Sequence, residues 1–481
     1  MKYEMNHKRK VAAAGAGYVV GNYLLKGITF LSAPIFTRLL STSNYGDVGA
    51  YISYESIIYI ILGLALHASI NNAKYKYKEK LDEYVSSLVL LAMVSLAAWL
   101  LFANVFYDLY SERVGFSRFV VNVLLFHSFA SALHQIYNAY IGLYYEYKSY
   151  LKISYFHSLG NMAFSLILVL TVFRDDRTTG RIIGISVPMI LIGLYIVCFF
   201  FRKARPRFDF AYWKYGVIYS LPIVPHGISQ VILNSFDKIM IRDMIGSAEA
   251  GIYNFSYVVN TIVAVAKTAL ENVWKPWVYD KMERKQYNAI RKGISDYVWG
   301  MTAFTSLVMM VSPEVIKVLG DRAYWDSTEC VVPILIGGYF AFLYSIPSII
   351  EYYYEKTRFI AIGTGLAAAV NIILNYIFIP RYGYIAAAYT TLFTYFLYFL
   401  FHYFIAKKLQ GPGIFPNRNL FLAAFTVAAV GAVSLWLESL WMIRWLLEVF
   451  IAVLVVIWAN REFDAINQLK AAWNSYRKKQ G

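Results

Sequence analysis

Apolar runs of about 20 residues, each long enough to cross a bilayer core of about 30 Å, follow one another along almost the whole chain. No other feature restricts the fold so tightly. Inside hydrocarbon every backbone N–H and C=O must be satisfied within the protein, so only helices and closed barrels can span. The runs are continuously apolar instead of alternating every second residue, which selects helices. Fourteen spans are expected, near 15–40, 45–69, 84–107, 118–143, 153–173, 180–201, 216–241, 247–272, 294–315, 328–350, 357–379, 384–405, 419–440 and 443–460. Composition agrees, since 59% of the 481 residues are hydrophobic and 15% charged, with a mean hydropathy of +0.49. A soluble chain of this size would carry far more surface charge.

The formal net charge of +16 could suggest a nucleic-acid partner, but its distribution argues otherwise. With fourteen spans, 31 of the 45 Lys and Arg fall on the side that holds both termini, and 11 on the other. Lys26, Lys238 and Lys267 lie within spans. Such a bias places both termini in the cytoplasm and makes the charge a topology signal. MKYEMNHKRK precedes an Ala/Gly-rich run that continues to about residue 40 without a polar stop, so it reads as a retained first helix and not a cleaved signal. Cys198 and Cys330 lie far apart and offer neither a disulfide framework nor a metal site.

The polar break FRKARPRFDF (201–210) is the natural boundary between two halves. The expected organisation is a lobe of six helices (1–201), a linker (202–215), a second lobe of six (216–405), two more helices (406–460) and a basic tail (461–481). The longest loop, about 273–293, is basic and aromatic and suits a helix lying on the inner leaflet. The halves repeat. Arg38-Leu-Leu-Ser-Thr-Ser-Asn-Tyr-Gly46 is echoed by Arg242-Asp-Met-Ile-Gly-Ser-Ala-Glu-Ala-Gly251, each a basic residue, a polar turn and a glycine in the next helix's first turn. A second echo pairs 158–173 with 368–380, each placing an Asn (Asn161, Asn371) in an apolar helix. Two units of like orientation would give one common offset.

Several polar side chains fall where hydrocarbon is expected. Lys26 is about a dozen residues from either end of its run, 15–20 Å at the helical rise, too far to snorkel comfortably. An isolated cation there costs about 2.5–3.5 kcal/mol on the insertion scale. Lys267 and Lys238 each lie about one turn from a helix end. Acidic candidates are Glu55, Asp237 and Glu271, either neutralising these cations or acting as gating or ion-coupling groups. His226, Gln230, Asn234 and Lys238 recur every four residues, and Pro222, Pro225 and Gly227 predict a bend in the same helix. His134 and Asn138 share a face of the fourth helix, one heptad after His127, as sugar contacts or interhelical glue. No carboxylate or cysteine completes a zinc set. No Walker loop, GxSxG, HExxH or paired aspartates survive inspection, so an enzyme is not expected.

GNYLLKGITFLSAPIFTRLLSTSNYGDVGAY, SFDKIMIRDMIGSAEAGIYNFSY and NIILNYIFIPRYGYIAAAYTTL resemble the first, seventh–eighth and eleventh–twelfth helices of the polysaccharide-transporter branch of the MOP exporter superfamily, the bacterial O-antigen-type flippases. The resemblance implies two six-helix lobes around a central cavity, with two C-terminal helices. It further implies alternating-access movement of undecaprenyl-pyrophosphate-linked oligosaccharide across the bacterial inner membrane. Lys26, and with it Lys267, match cavity cations for the pyrophosphate, with Lys238 a third candidate from its position in a span. Arg38, Gly46, Arg242 and Gly251 match the outer hinges. Implied partners are the lipid-linked glycan, membrane lipids and glycan polymerase or ligase proteins. No cofactor is implied, and coupling to H⁺ or Na⁺ is left open. The alternatives are a multidrug exporter of the same superfamily, disfavoured because residues 11–36 lack Asp and Glu, or a non-transporting scaffold of a polysaccharide assembly complex.

Overall fold

The structure is a computed structural model that describes residues 21, 24–28 and 30–463. The N-terminal basic stretch and the tail from 464 onwards lie outside the described residues. The first half contains α1 (helical over 24–28 and 30–39), α2 (Thr42–Gly63), α4 (Leu81–Val105), α6 (Arg118–Gly142), α7 (Tyr147–Leu170) and α8 (Arg177–Lys203). Two short helices, α3 (Ile70–Tyr77) and α5 (Tyr107–Val114), occupy segments expected to be loops. The second half contains α9 (Phe210–Ser220), α10 (Ile223–Met244), α11 (Ser247–Glu283), α12 (Tyr287–Leu319), α13 (Thr328–Leu343), α14 (Ser345–Tyr353), α15 (Thr357–Tyr382), α16 (Tyr384–Gln410), α17 (Asn417–Trp436) and α18 (Trp441–Phe463).

By length and composition, nine helical segments among the described residues can cross a membrane, and a tenth if α9 and α10 form one span. The fourteen expected from sequence are not all reached. Helices α2 and α11 carry Asp47, Glu55, Asn254, Asn260 and Lys267, which lower their hydropathy. Helices α1 and α18 run into residues outside the description. Pro222 caps α10 and Pro225 sits in its first turn, where a missing N–H is harmless, and the chain bends by 46° between α9 and α10. The stretch 273–293 is not a separate surface helix. Helix α11 runs unbroken for 37 residues, about 55 Å, and turns directly into α12. Trp274 there stacks on Trp277 and Tyr297, with centroids at 5.0 and 4.5 Å.

Helices α4, α6, α7 and α8 pack chiefly on one another, as do α10 to α17, while α2 packs most heavily on α10 and α11. The two groups meet where α2 crosses α10 and α11. The asparagines of the second echo do equivalent jobs: Asn161 of α7 accepts from Arg181 of α8 at 2.6 Å, and Asn371 of α15 donates to Thr391 of α16 at 3.1 Å. Each ties its helix to the next, at about 0.6 kcal/mol for a bond of this kind in a membrane.

Candidate functional site

The turn motifs repeated in the sequence come face to face. A Cβ on Gly46 would overlap the carbonyl oxygen of Ser247, and one on Gly251 would overlap that of Thr42. Only hydrogen at both positions lets the first turns of α2 and α11 touch backbone to backbone. Around this crossing, Arg242 Nε lies 3.0 Å from Asp47 Oδ1, and Ser247 Oγ donates to the same oxygen at 2.7 Å. Arg242 also donates to the Val114 carbonyl at 2.9 Å and covers the Phe116 ring. From the other repeat, Arg38 donates to the carbonyls of Pro34 (2.7 Å) and Val318 (3.3 Å). Thr37 donates to Leu319 and Tyr324 to Leu40. This end, the hinge face, therefore closes the two halves on each other. Sequence reasoning passed over Asp47, which follows Gly46 in the first turn of α2 and is the acid that Arg242 meets.

Deeper in the bundle lie the span cations Lys26 of α1 and Lys267 of α11. Lys267 Nζ is 3.8 Å from Glu271 Oε1, with side chains 22% and 31% exposed. A pair this wet and loose contributes under about 1 kcal/mol and leaves the ammonium free to take another anion. Beside it a cavity of about 170 Å³ opens among α10, α11, α13 and α16, with Gln230, Asn234, Tyr257, Asn260, Lys267 and Tyr344 on its wall. Asn234 Oδ1 accepts from Tyr395 at 2.6 Å, while Asn260 Oδ1 is buried with no hydrogen-bond partner among the described residues. His226 Nδ1, one turn from Gln230 on α10, is likewise buried without a partner. Polar atoms left open in a buried wall mark where water or a ligand must complete the bonding.

Lys238 stands apart from Lys267, over the Tyr257 ring at another point of the cavity wall. Asp237 is buried, accepting from Tyr253 and from Tyr257 at 3.1 Å, and Lys238 Nζ lies 4.9 Å above the Tyr257 ring. Tyr257 precedes Lys267 by ten residues of α11, about 15 Å towards the hinge face.

In the first half, Glu55 of α2 faces the Ser131 hydroxyl of α6. Asn138 Nδ2 lies 3.3 Å from His134 Nε2. Ser128, Ser131, His134 and Asn138 share one face of α6, and His157 of α7 lies opposite His134. Glu55 Oε1, Ser128 Oγ, Asn138 Oδ1 and His157 Nε2 are buried without partners among the described residues. His127 is different: it lies 3.2 Å from both Tyr51 OH and Ser186 Oγ and is sealed in the core. Sequence reasoning missed His157, although its spacing of four from Asn161 repeats that of His134 and Asn138. Among the described residues no cluster of His, Cys, Asp and Glu could hold a metal ion.

The chain and its fold are similar to known proteins. A family model described as polysaccharide biosynthesis protein matches residues 12–282. Lsg locus putative protein 1 of Haemophilus influenzae is 20% identical over 362 residues, spanning 68% of this chain and 83% of that one. An uncharacterized membrane protein of Methanocaldococcus jannaschii is 22% identical over 420 residues, 82% of this chain and 97% of its own. The fold is similar to that of lipid II flippase MurJ in an inward closed conformation, with a TM-score of 0.73 at 14% identity over 92% of this chain and 99% of that one. It is also similar to an inward-facing multidrug resistance MATE family transporter of the MOP superfamily, with a TM-score of 0.60 at 14% identity over 80% and 95%.

Proposed function

The chain belongs to the polysaccharide biosynthesis protein family, and on that premise we propose that it is a flippase for lipid-linked oligosaccharide. The observation that carries this reading is Lys267 on the wall of a polar cavity, only loosely paired to Glu271, with the span cation Lys26 contributed by the other half of the fold. An ammonium group in such a wall is stabilised by an anion that comes to it. Pyrophosphate is such an anion, and lysine meets it as a point charge. Amide and phenol groups on the cavity wall offer donors and acceptors to the sugars that follow. A cationic drug, the cargo of the rival reading, would meet repulsion at the same place.

Movement follows from the hinge face. With α2 and α11 locked at their first turns, cargo enters from the end bearing Lys74–Lys80, Arg202–Arg207 and Lys275–Lys292, which the charge bias assigns to the cytoplasm. Separation of Gly46 from Gly251 would open the opposite face and release the cargo there. Arg38 and Arg242 act as latches, since each donates to carbonyls that move away with the other element. In this reading the protein lies in the bacterial inner membrane with both termini cytoplasmic, and the carrier lipid is undecaprenyl pyrophosphate.

The test is complementation of a strain lacking its own glycan flippase, with membrane levels matched by immunoblot. Wild type and Lys26→Arg should restore surface glycan, whereas Lys26→Ala should accumulate lipid-linked precursor. Equal activity of both variants at equal expression overturns the role of the cation.

A further inference from the structure

Away from the central cavity, α7 is the least buried of the nine candidate spans among the described residues, so most of its surface faces lipid. In its outer half it is held close to α8. A Cβ on Gly184 would lie 2.4 Å from Ser165 Cα, and one on Gly160 would lie 3.1 Å from Pro188 Cβ. Towards the basic face Phe156 and Tyr195 take over from these small residues, and a crevice of about 410 Å³ opens between α7 and α8, floored by the buried Tyr137 of α6.

The crevice is amphipathic along its length. Ser149 and Lys152, in the first two turns of α7, form its rim. Helical side chains lean towards the N-terminus, and the N-terminus of α7 lies on the basic face. Phe156, Leu191 and Tyr195 line the part beyond, and all three are exposed. Lys152 precedes the end of α7 at Leu170 by 18 residues, about 27 Å, so in a hydrocarbon core of about 30 Å it stands at the boundary on the basic face. An ammonium at that depth reaches the headgroups by extending its stem.

The charge at this rim is unbalanced. Among the described residues Lys152 forms no ion pair. Glu146, exposed in the turn before α7, accepts from Ser149 Oγ at 3.3 Å. Lys148 is exposed one turn before Lys152, and Lys74 donates to the Leu143 carbonyl in the same turn at 3.2 Å. Three cations against one carboxylate leave this end basic. Water gains no partners from the walls that Phe156 and Leu191 provide. A soluble anion would meet Lys152 and leave those walls bare, whereas a charged amphiphile satisfies both ends.

We propose that this crevice binds an anionic phospholipid from the leaflet on the basic face, with its phosphate on Lys152 and Ser149 and one acyl chain along Phe156, Leu191 and Tyr195. One unpaired lysine suits a lipid with a single phosphate, such as phosphatidylglycerol. The site lies on the lipid-facing side of the first half, so the assignment does not rest on the flippase reading. A lysine at this depth should favour anionic over neutral lipid by about fivefold.

The experiment places the photocrosslinker p-benzoylphenylalanine at Phe156, one turn beyond Lys152 on the same face of α7. The full chain sits in nanodiscs of equal parts phosphatidylglycerol and phosphatidylcholine with identical acyl chains, and mass spectrometry of the adducts counts each lipid. The adducts should favour phosphatidylglycerol about fivefold. Lys152→Gln should bring the ratio to parity, while Lys152→Arg and Lys148→Gln should keep the preference. Parity without any substitution at Lys152 overturns the proposal, as does a preference that survives Lys152→Gln. Equal loss in Lys148→Gln would show a diffuse basic surface in place of a site and overturns it too. Where the label at Phe156 prevents folding, the same label at Leu191 gives the same reading. Cargo assays that refute the flippase reading would leave this ratio unchanged.

Discussion

Replacing Gly251 with alanine should weaken closure of the hinge face without unfolding the protein. The added methyl would overlap the Thr42 carbonyl oxygen, and its neighbour on the other side is the backbone nitrogen of Gly46 at 3.1 Å. Both obstacles are main chain, so no side-chain rotation relieves the clash and the helices must separate. Overpacking of this kind costs about 1–3 kcal/mol. The penalty falls only on the conformer in which α2 and α11 touch, so the closed-to-open ratio should drop by about 5- to 150-fold, at 1.4 kcal/mol per tenfold. The hinge-face distance from Ser43 to Ala323, measured by spin labels, reports that ratio. Gly46→Ala should act alike through the Ser247 carbonyl, and the double variant should fall short of additivity because both changes break one contact. Gly365→Ala is the control, since nothing lies within 4 Å of its added methyl. If Gly251→Ala keeps the wild-type distance distribution, the backbone crossing is not what holds the halves shut.

Other consequences follow from single contacts. Arg242→Ala removes the ion pair to Asp47 and the bond to Val114; with the Arg242 side chain 9% exposed, the closed state should lose about 2–5 kcal/mol, seen as a longer hinge-face distance. Glu355 is exposed and in the left-handed region at φ 57°, so Glu355→Gly should relieve about 1–2 kcal/mol and raise the melting temperature in detergent. Asn371→Leu breaks the bond to Thr391 and orphans Asn375 Nδ2; a loss of about 0.6–1.7 kcal/mol is expected, with transport retained.

How much of this was legible in the sequence depended on whether the signal was local. Hydropathy located the helices, and the two prolines announced the bend before α10, because both act within one segment. The Arg38 and Arg242 motifs showed a repeat, but not that Gly46 would pack on Gly251, since their meeting is a property of the whole fold. Lys26, Lys267 and Lys238 were singled out by the energetics of a cation in hydrocarbon. Asp237 beside Lys238 already offered a local partner in the sequence; that Lys238 lies over Tyr257, about 15 Å along α11 from Lys267, needed three dimensions. The basic stretch 273–293 misled, since its charges suit an interface equally well whether the helix lies flat or projects as an extension of α11.

The central claim is that two cations from opposite halves capture the phosphate of a lipid-linked glycan and move it across the bilayer. The most direct measurement reconstitutes the protein in proteoliposomes holding a fluorescent undecaprenyl-pyrophosphate-linked oligosaccharide and follows the fraction that becomes accessible on the other leaflet. Protein-dependent transfer should slow at least tenfold in Lys26→Ala and Lys267→Ala, about 1.4 kcal/mol or more of lost binding, and recover in Lys26→Arg. Transfer at the wild-type rate in a Lys26→Ala/Lys267→Ala double variant would contradict it.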